Sequence, residues 1–170
     1  MKGDLHTLKR ICEYASKVMF AGIFAVAALL IATLVLGIGS VFSDGLGDIL
    51  RTVTGLESPE DLATWAALFK IVAILALGIV TVYAVYLLMV SVRDEHSPFN
   101  DRNTGVIILL SKIYLIMSVV LLALSAAASD SIAMVAFVFF GCVLISVVLY
   151  CFALIVRYGA VLQDESDHTL

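Results

Sequence analysis

Residues 18–43 read VMFAGIFAVAALLIATLVLGIGSVFS, twenty-six positions from Val18 to Ser43 without one charged side chain. The hydrocarbon core of a bilayer is about 30 Å thick and takes roughly 20 apolar residues of helix to cross. This stretch alone is long enough. Three more uncharged runs follow, Ile71–Val92, Ile113–Ser129 and Ser131–Val156. The pattern predicts four transmembrane helices, at 18–43, 66–92, 106–128 and 131–156, in a single domain over residues 1–170.

Composition agrees. Hydrophobic residues make up 62% of the 170-residue chain, charged residues 14%, and the mean hydropathy is +1.11. A water-soluble domain of this length lacks the polar surface to cover so much apolar material. The net charge of −4 says little, because in membrane proteins the position of a charge outweighs the sum. No long basic run suggests direct binding of nucleic acid or a tether to anionic lipid.

Position is informative. Lys2, Lys9, Arg10 and Lys17 precede the first run, Arg93, Arg102 and Lys112 lie between the second and third, and Arg157 follows the fourth. Only Arg51 and Lys70 fall on the other side. The positive-inside bias therefore predicts both termini and the 93–112 connection in the cytoplasm. Residues 44–70 and a minimal hairpin at Ser129-Asp130-Ser131 then face outward. A cleaved signal peptide is the rival reading of the N-terminus. The first run far exceeds the usual apolar region of about 7–15 residues, and no small-residue cleavage site follows it, so the span is expected to be retained. Short connections predict an all-α membrane protein, an antiparallel four-helix bundle running up and down.

Leu5, Leu8, Cys12, Ala15 and Met19 recur at helical spacing, which predicts a surface-lying helix or a continuous helical lead into the first span. A partner-binding helix is the alternative. Within the span, Ala21, Ala25, Ala28 and Ala32 form a stripe of small residues. In lipid such stripes let helix backbones approach closely. Packing inside the bundle is the first expectation, a homodimer face the second. On the outer side, Leu46, Ile49, Leu50 and Val53 predict a short surface helix. Ser58-Pro59-Glu60-Asp61 reads as a helix start with a cap, a first-position proline and acidic charge. Trp65 and Phe69 would then sit at headgroup level.

Catalytic and cofactor patterns are missing from the sequence. His6, His96 and His168 all lie outside the spans, the spans hold no Asp or Glu, and no zinc-protease, Walker or nucleophile-elbow motif occurs. Pumps and proton-coupled carriers keep costly ionisable groups inside the membrane, so the chain is expected to be no enzyme and to bind no cofactor. Cys12, Cys142 and Cys151 match no zinc spacing and read as small apolar fillers. Lys112, at the inner boundary, is expected to snorkel to the surface, with binding of an anion or a partner's carboxylate as the alternative. Tyr86, Lys112, Tyr114, Tyr150 and Tyr158 all fall toward the cytoplasmic side. They read as an aromatic belt with interhelical hydrogen bonds, or else as a cytoplasm-facing pocket.

Two segments are distinctive. One reads Glu95-His96-Ser97-Pro98-Phe99-Asn100-Asp101-Arg102-Asn103. The other runs from Tyr158 to Leu170 and includes Leu162, Gln163, Asp164, Glu165, Asp167 and Thr169. Pro98 restricts Ser97 to extended conformations and ends the preceding helix, Phe99 can anchor the loop, and Asn100 or Asn103 can cap the third span. The acidic tail reads as a frayed, solvated terminus, or as half of a docking patch with the loop, where its charge would attract a basic partner.

With four spans in a chain of this length, these segments resemble a family of prokaryotic membrane proteins named domain of unknown function 2975. Pro98, Phe99 and Asn103 match its pattern before the third span, and Leu162, Gln163, Glu165, Asp167, Thr169 and Leu170 match its terminus. Genes of that family often neighbour a small helix-turn-helix regulator, so the resemblance implies such a protein as a cytoplasmic partner. The leading expectation is a regulatory or interaction protein that docks this partner through Pro98, Phe99, Asn103, Lys112, Leu162, Gln163, Glu165, Asp167 and Thr169. The alternative is a transporter, exporter accessory or immunity-type protein handling a small apolar molecule or peptide.

Overall fold

The computed structural model describes residues 2–54, 61–93 and 101–168. Among these residues every regular element is an α-helix: α1 (Lys2–Phe42), α2 (Asp44–Thr54), α3 (Asp61–Arg93), α4 (Asp101–Ala127) and α5 (Ile132–His168). Four of the five are long and apolar enough to cross a membrane, over Arg10–Phe42, Leu62–Ser91, Asp101–Ala127 and Ile132–Leu162. The fold is thus an all-α membrane protein with the four spans expected. The lead at 5–19 is not a separate surface helix, because α1 runs unbroken from Lys2. The Ser58-Pro59-Glu60 helix start lies outside the described residues.

The long helices stand in a row in the order α1, α3, α4, α5, each packed along its neighbours, with α2 folded against α1 and the edge of α3. Among the described residues the backbone of α5 does not approach α1 or α3, so the bundle is open. Contacts between neighbours form ladders in which one residue number rises as the other falls. Between α1 and α3 the rungs are Phe20 with Tyr86, Gly22 with Val82, Val26 with Gly78 and Gly37 with Leu68. Between α3 and α4 they are Thr81 with Tyr114 and Lys70 with Asp130, just past the helix end.

The α1–α3 seam is made by shape. A Cβ on Gly37 would come within 2.5 Å of Leu68, which is buried, so the missing side chain is the socket for that leucine. Gly39 does the same for Leu46 of α2, at 2.7 Å. The chain reverses at Ser43, whose carbonyl accepts hydrogen bonds from Leu46 and Gly47, and Leu50 closes the short helix onto the protein. The alanine stripe takes no part in this. Ala21, Ala25, Ala28 and Ala32 are all exposed, while Gly22, Val26 and Gly37 on another face meet α3. Packing inside the bundle is therefore not the role of these alanines.

The α4–α5 seam is polar at its centre. Thr104, Ser111, Ser118 and Ser125 recur every seven residues along α4, and each is buried. A seven-residue repeat keeps one face of a helix on its neighbour, and small side chains there let backbones approach. Ser111 donates from its hydroxyl to the carbonyl of Ser146 at 3.0 Å, and Ser146 donates back to the carbonyl of Ser111 at 2.8 Å. Farther toward Arg102, Ile107 packs with Ala153 and Val156 of α5, and Leu88 of α3 joins them.

The turn joining α4 to α5 assigns a role to each of its three polar residues. Ser129 takes a left-handed conformation, φ 59°. The amide of Ser129 bonds the Ala126 carbonyl and that of Asp130 bonds the Ser125 carbonyl, the pair of bonds that closes a helix in a Schellman motif. Ser131 then caps α5, accepting from the Met134 amide at 3.3 Å. Asp130 is left to face α3.

Candidate functional site

The residues expected to dock a partner divide into four groups. Pro98, Phe99 and Thr169 lie outside the described residues. Asn103 is buried in the first turn of α4; that helix starts at Asp101, so Asn103 sits inside it and not at its cap. Leu162, Gln163, Glu165 and Asp167 all lie on α5, which continues as helix through His168. Leu162 and Glu165 are exposed.

Lys112 lies well apart from Leu162 along the bundle. Its neighbour Ser111 touches Ser146, and Leu162 lies sixteen residues farther along α5, about 24 Å away along the axis at 1.5 Å per residue. Lys112 belongs to the interior length of α4, on its exposed face with Leu109 and Ile116. It is also the one charged residue between Arg102 and Asp130. A lysine at the centre of a membrane helix costs about 2.5–3.5 kcal/mol, which snorkelling toward the helix start reduces. Neither Lys112 nor Arg102 has a hydrogen bond or ion pair among the described residues.

A cavity of about 130 Å³ lies between α3 and α4, with Ile113, the residue after Lys112, in its wall. Val80, Tyr83 and Leu87 form one wall and Val106, Leu109 and Ile113 the other, and the surface inside is almost wholly apolar. Val80, Tyr83 and Leu109 are themselves exposed, so the crevice opens sideways. An apolar cavity near 150 Å³ stays dry and accepts a benzene-sized guest. This one has room for a short piece of hydrocarbon.

The tyrosines do not converge on a pocket. Tyr114 shares a hydrogen bond with Thr81 at 3.0 Å, Tyr86 stacks near Tyr83 and Phe20, and Tyr150 and Tyr158 are exposed. For Tyr114 the expected interhelical hydrogen bond is present. Cys12, Cys142 and Cys151 are all free thiols.

At the far end, Lys70 grips both carboxylate oxygens of Asp130, at 2.8 and 2.6 Å, and both side chains are largely buried. Ala66, Ala67 and Ala128 pack together nearby. The pair spans sixty residues of sequence and ties α3 to the α4–α5 turn. Its signal in the sequence was simple: one base and one acid bordering uncharged runs on the same side. The buried serine repeat of α4 was equally readable as a hydroxyl every seventh residue. No family model, no curated protein and no solved structure matches this chain.

Proposed function

We propose that the chain is a regulatory or interaction protein of the cell membrane, antiparallel in its four spans, with both termini in the cytoplasm. It acts without catalysis, by holding a cytoplasmic protein on the extension of α5 beyond Arg157. One observation supports this above the rest. Tyr158, Val161 and Leu162 are apolar and exposed at helical spacing, with Glu165 one turn farther on. Anchors at that spacing are how a helix seats itself in the groove of another protein. The acids Asp164, Glu165 and Asp167 favour a basic partner, such as the small helix-turn-helix regulator that the family resemblance implies. Kinship with that family is part of the proposal.

Co-purification from native membranes in mild detergent tests it. The full chain should bring down a discrete basic protein, and a variant carrying Leu162→Asp and Glu165→Lys should lose it while staying in the membrane. Identical partners on both forms would remove the α5 extension from the proposal. A second reading, handling of a small apolar molecule or peptide, is favoured by the crevice between α3 and α4. Uptake of an apolar dye by vesicles containing the protein, over empty vesicles, would support it.

A further inference from the structure

We propose that the α3–α4 crevice and the basic face beside it form a binding site for one anionic phospholipid, in the leaflet on the Arg102 side. The site does not depend on the docking function. Two independent features of α4 meet there. The first is an apolar slot open to the side, where a membrane protein meets acyl chains. The second is a line of exposed positions, Arg102, Gly105, Leu109 and Lys112, that share one face.

Geometry brings the two together. Side chains on a helix lean toward its N-terminus and cover the preceding turn. From Lys112 an ammonium can therefore extend back past Leu109 toward Gly105. Leu109, one turn before Lys112, and Ile113, the next residue, are walls of the crevice, which sets the lysine on the helix face adjoining it. Gly105 has open space where a side chain would stand. A phosphate over that glycine would lie within reach of Lys112 and on the same face as Arg102, two cations without a partner among the described residues. Its acyl chain would run along the slot between α3 and α4 toward the middle of the membrane.

The chemistry selects both halves of the ligand. A zwitterionic lipid fits the slot and offers a phosphate, but its own ammonium offsets that charge beside the two cations. A free phosphate satisfies the cations but not the slot. Only a lipid with net negative charge answers both, and it would neutralise the lysine that the protein itself leaves alone.

The test places the full chain in nanodiscs of phosphatidylcholine with a minority of phosphatidylglycerol, followed by native mass spectrometry of the retained lipid. Phosphatidylglycerol should be enriched over its share of the disc. Lys112→Gln should reduce that enrichment about fivefold, the scale of one basic side chain at an anionic surface. Lys112→Arg should preserve it, and Val80→Trp, which fills the slot and leaves every charge in place, should lower it. Circular dichroism of each variant checks that the helices persist. Equal retention of the two lipids, or an enrichment indifferent to Lys112→Gln in a folded variant, overturns the proposal. So does displacement of the lipid by inorganic phosphate, which would reveal a free-anion site.

Discussion

The α1–α3 and α4–α5 pairs solve one problem in two ways. Both must hold helices together in lipid, where apolar surface alone gives no preference for a neighbour over an acyl chain. The first pair does it by fit, with Gly37 shaped to receive Leu68 of α3 as Gly39 receives Leu46 of α2. The second does it by backbone-directed hydroxyls, Ser111 and Ser146, under a turn with a fixed geometry. Steric sockets fail when something is added. Polar seams fail when something is taken away.

The largest effect is expected where the two halves are joined. Asp130→Ala leaves Lys70 largely buried without its acid and should cost about 3 kcal/mol, as for other broken buried pairs. Reversible unfolding in mixed detergent measures it, and replacing both residues by leucine should recover most of the loss. Next comes the steric seam. Gly37→Ala should cost about 2 kcal/mol by overpacking, and Gly39→Ala less, because Leu46 is only half buried and can swing aside. Equal losses at the two glycines would mean that the sockets do not differ as described. Ser129→Gly should change the sign, adding about 1 kcal/mol by relieving a left-handed serine. The smallest effect belongs to the polar seam. Ser111→Ala and Ser146→Ala should each cost about 0.6 kcal/mol, the usual size for an interhelical hydrogen bond in membranes. The two losses should add, because each hydroxyl donates to a backbone carbonyl that the other substitution leaves in place.

These seams also explain what the sequence disclosed. Four uncharged runs announced four helices, because the bilayer reads length and charge directly. The short helix at Asp44–Thr54 was legible from its spaced leucines. Which face of each helix meets another was harder to read, since lipid and protein are equally apolar and only residue size or a buried hydroxyl marks the seam. That is why Ala21, Ala25, Ala28 and Ala32 misled: alanine is small against a helix and equally acceptable against lipid. The charge pattern assigns the candidate docking residues to one side of the membrane and no more. Side is coarser than place, and the axial distance along α5 separates Lys112 from Leu162.

The open row has a consequence for how the protein is made. The order of the long helices in space is their order along the chain, and each packs on the one before it. No helix has to wait unpaired for a partner synthesised much later. Contacts that stay close in sequence form quickly and expose little in the interval. As the ribosome delivers α3, α4 and α5 in turn, each can dock on a neighbour already in the bilayer.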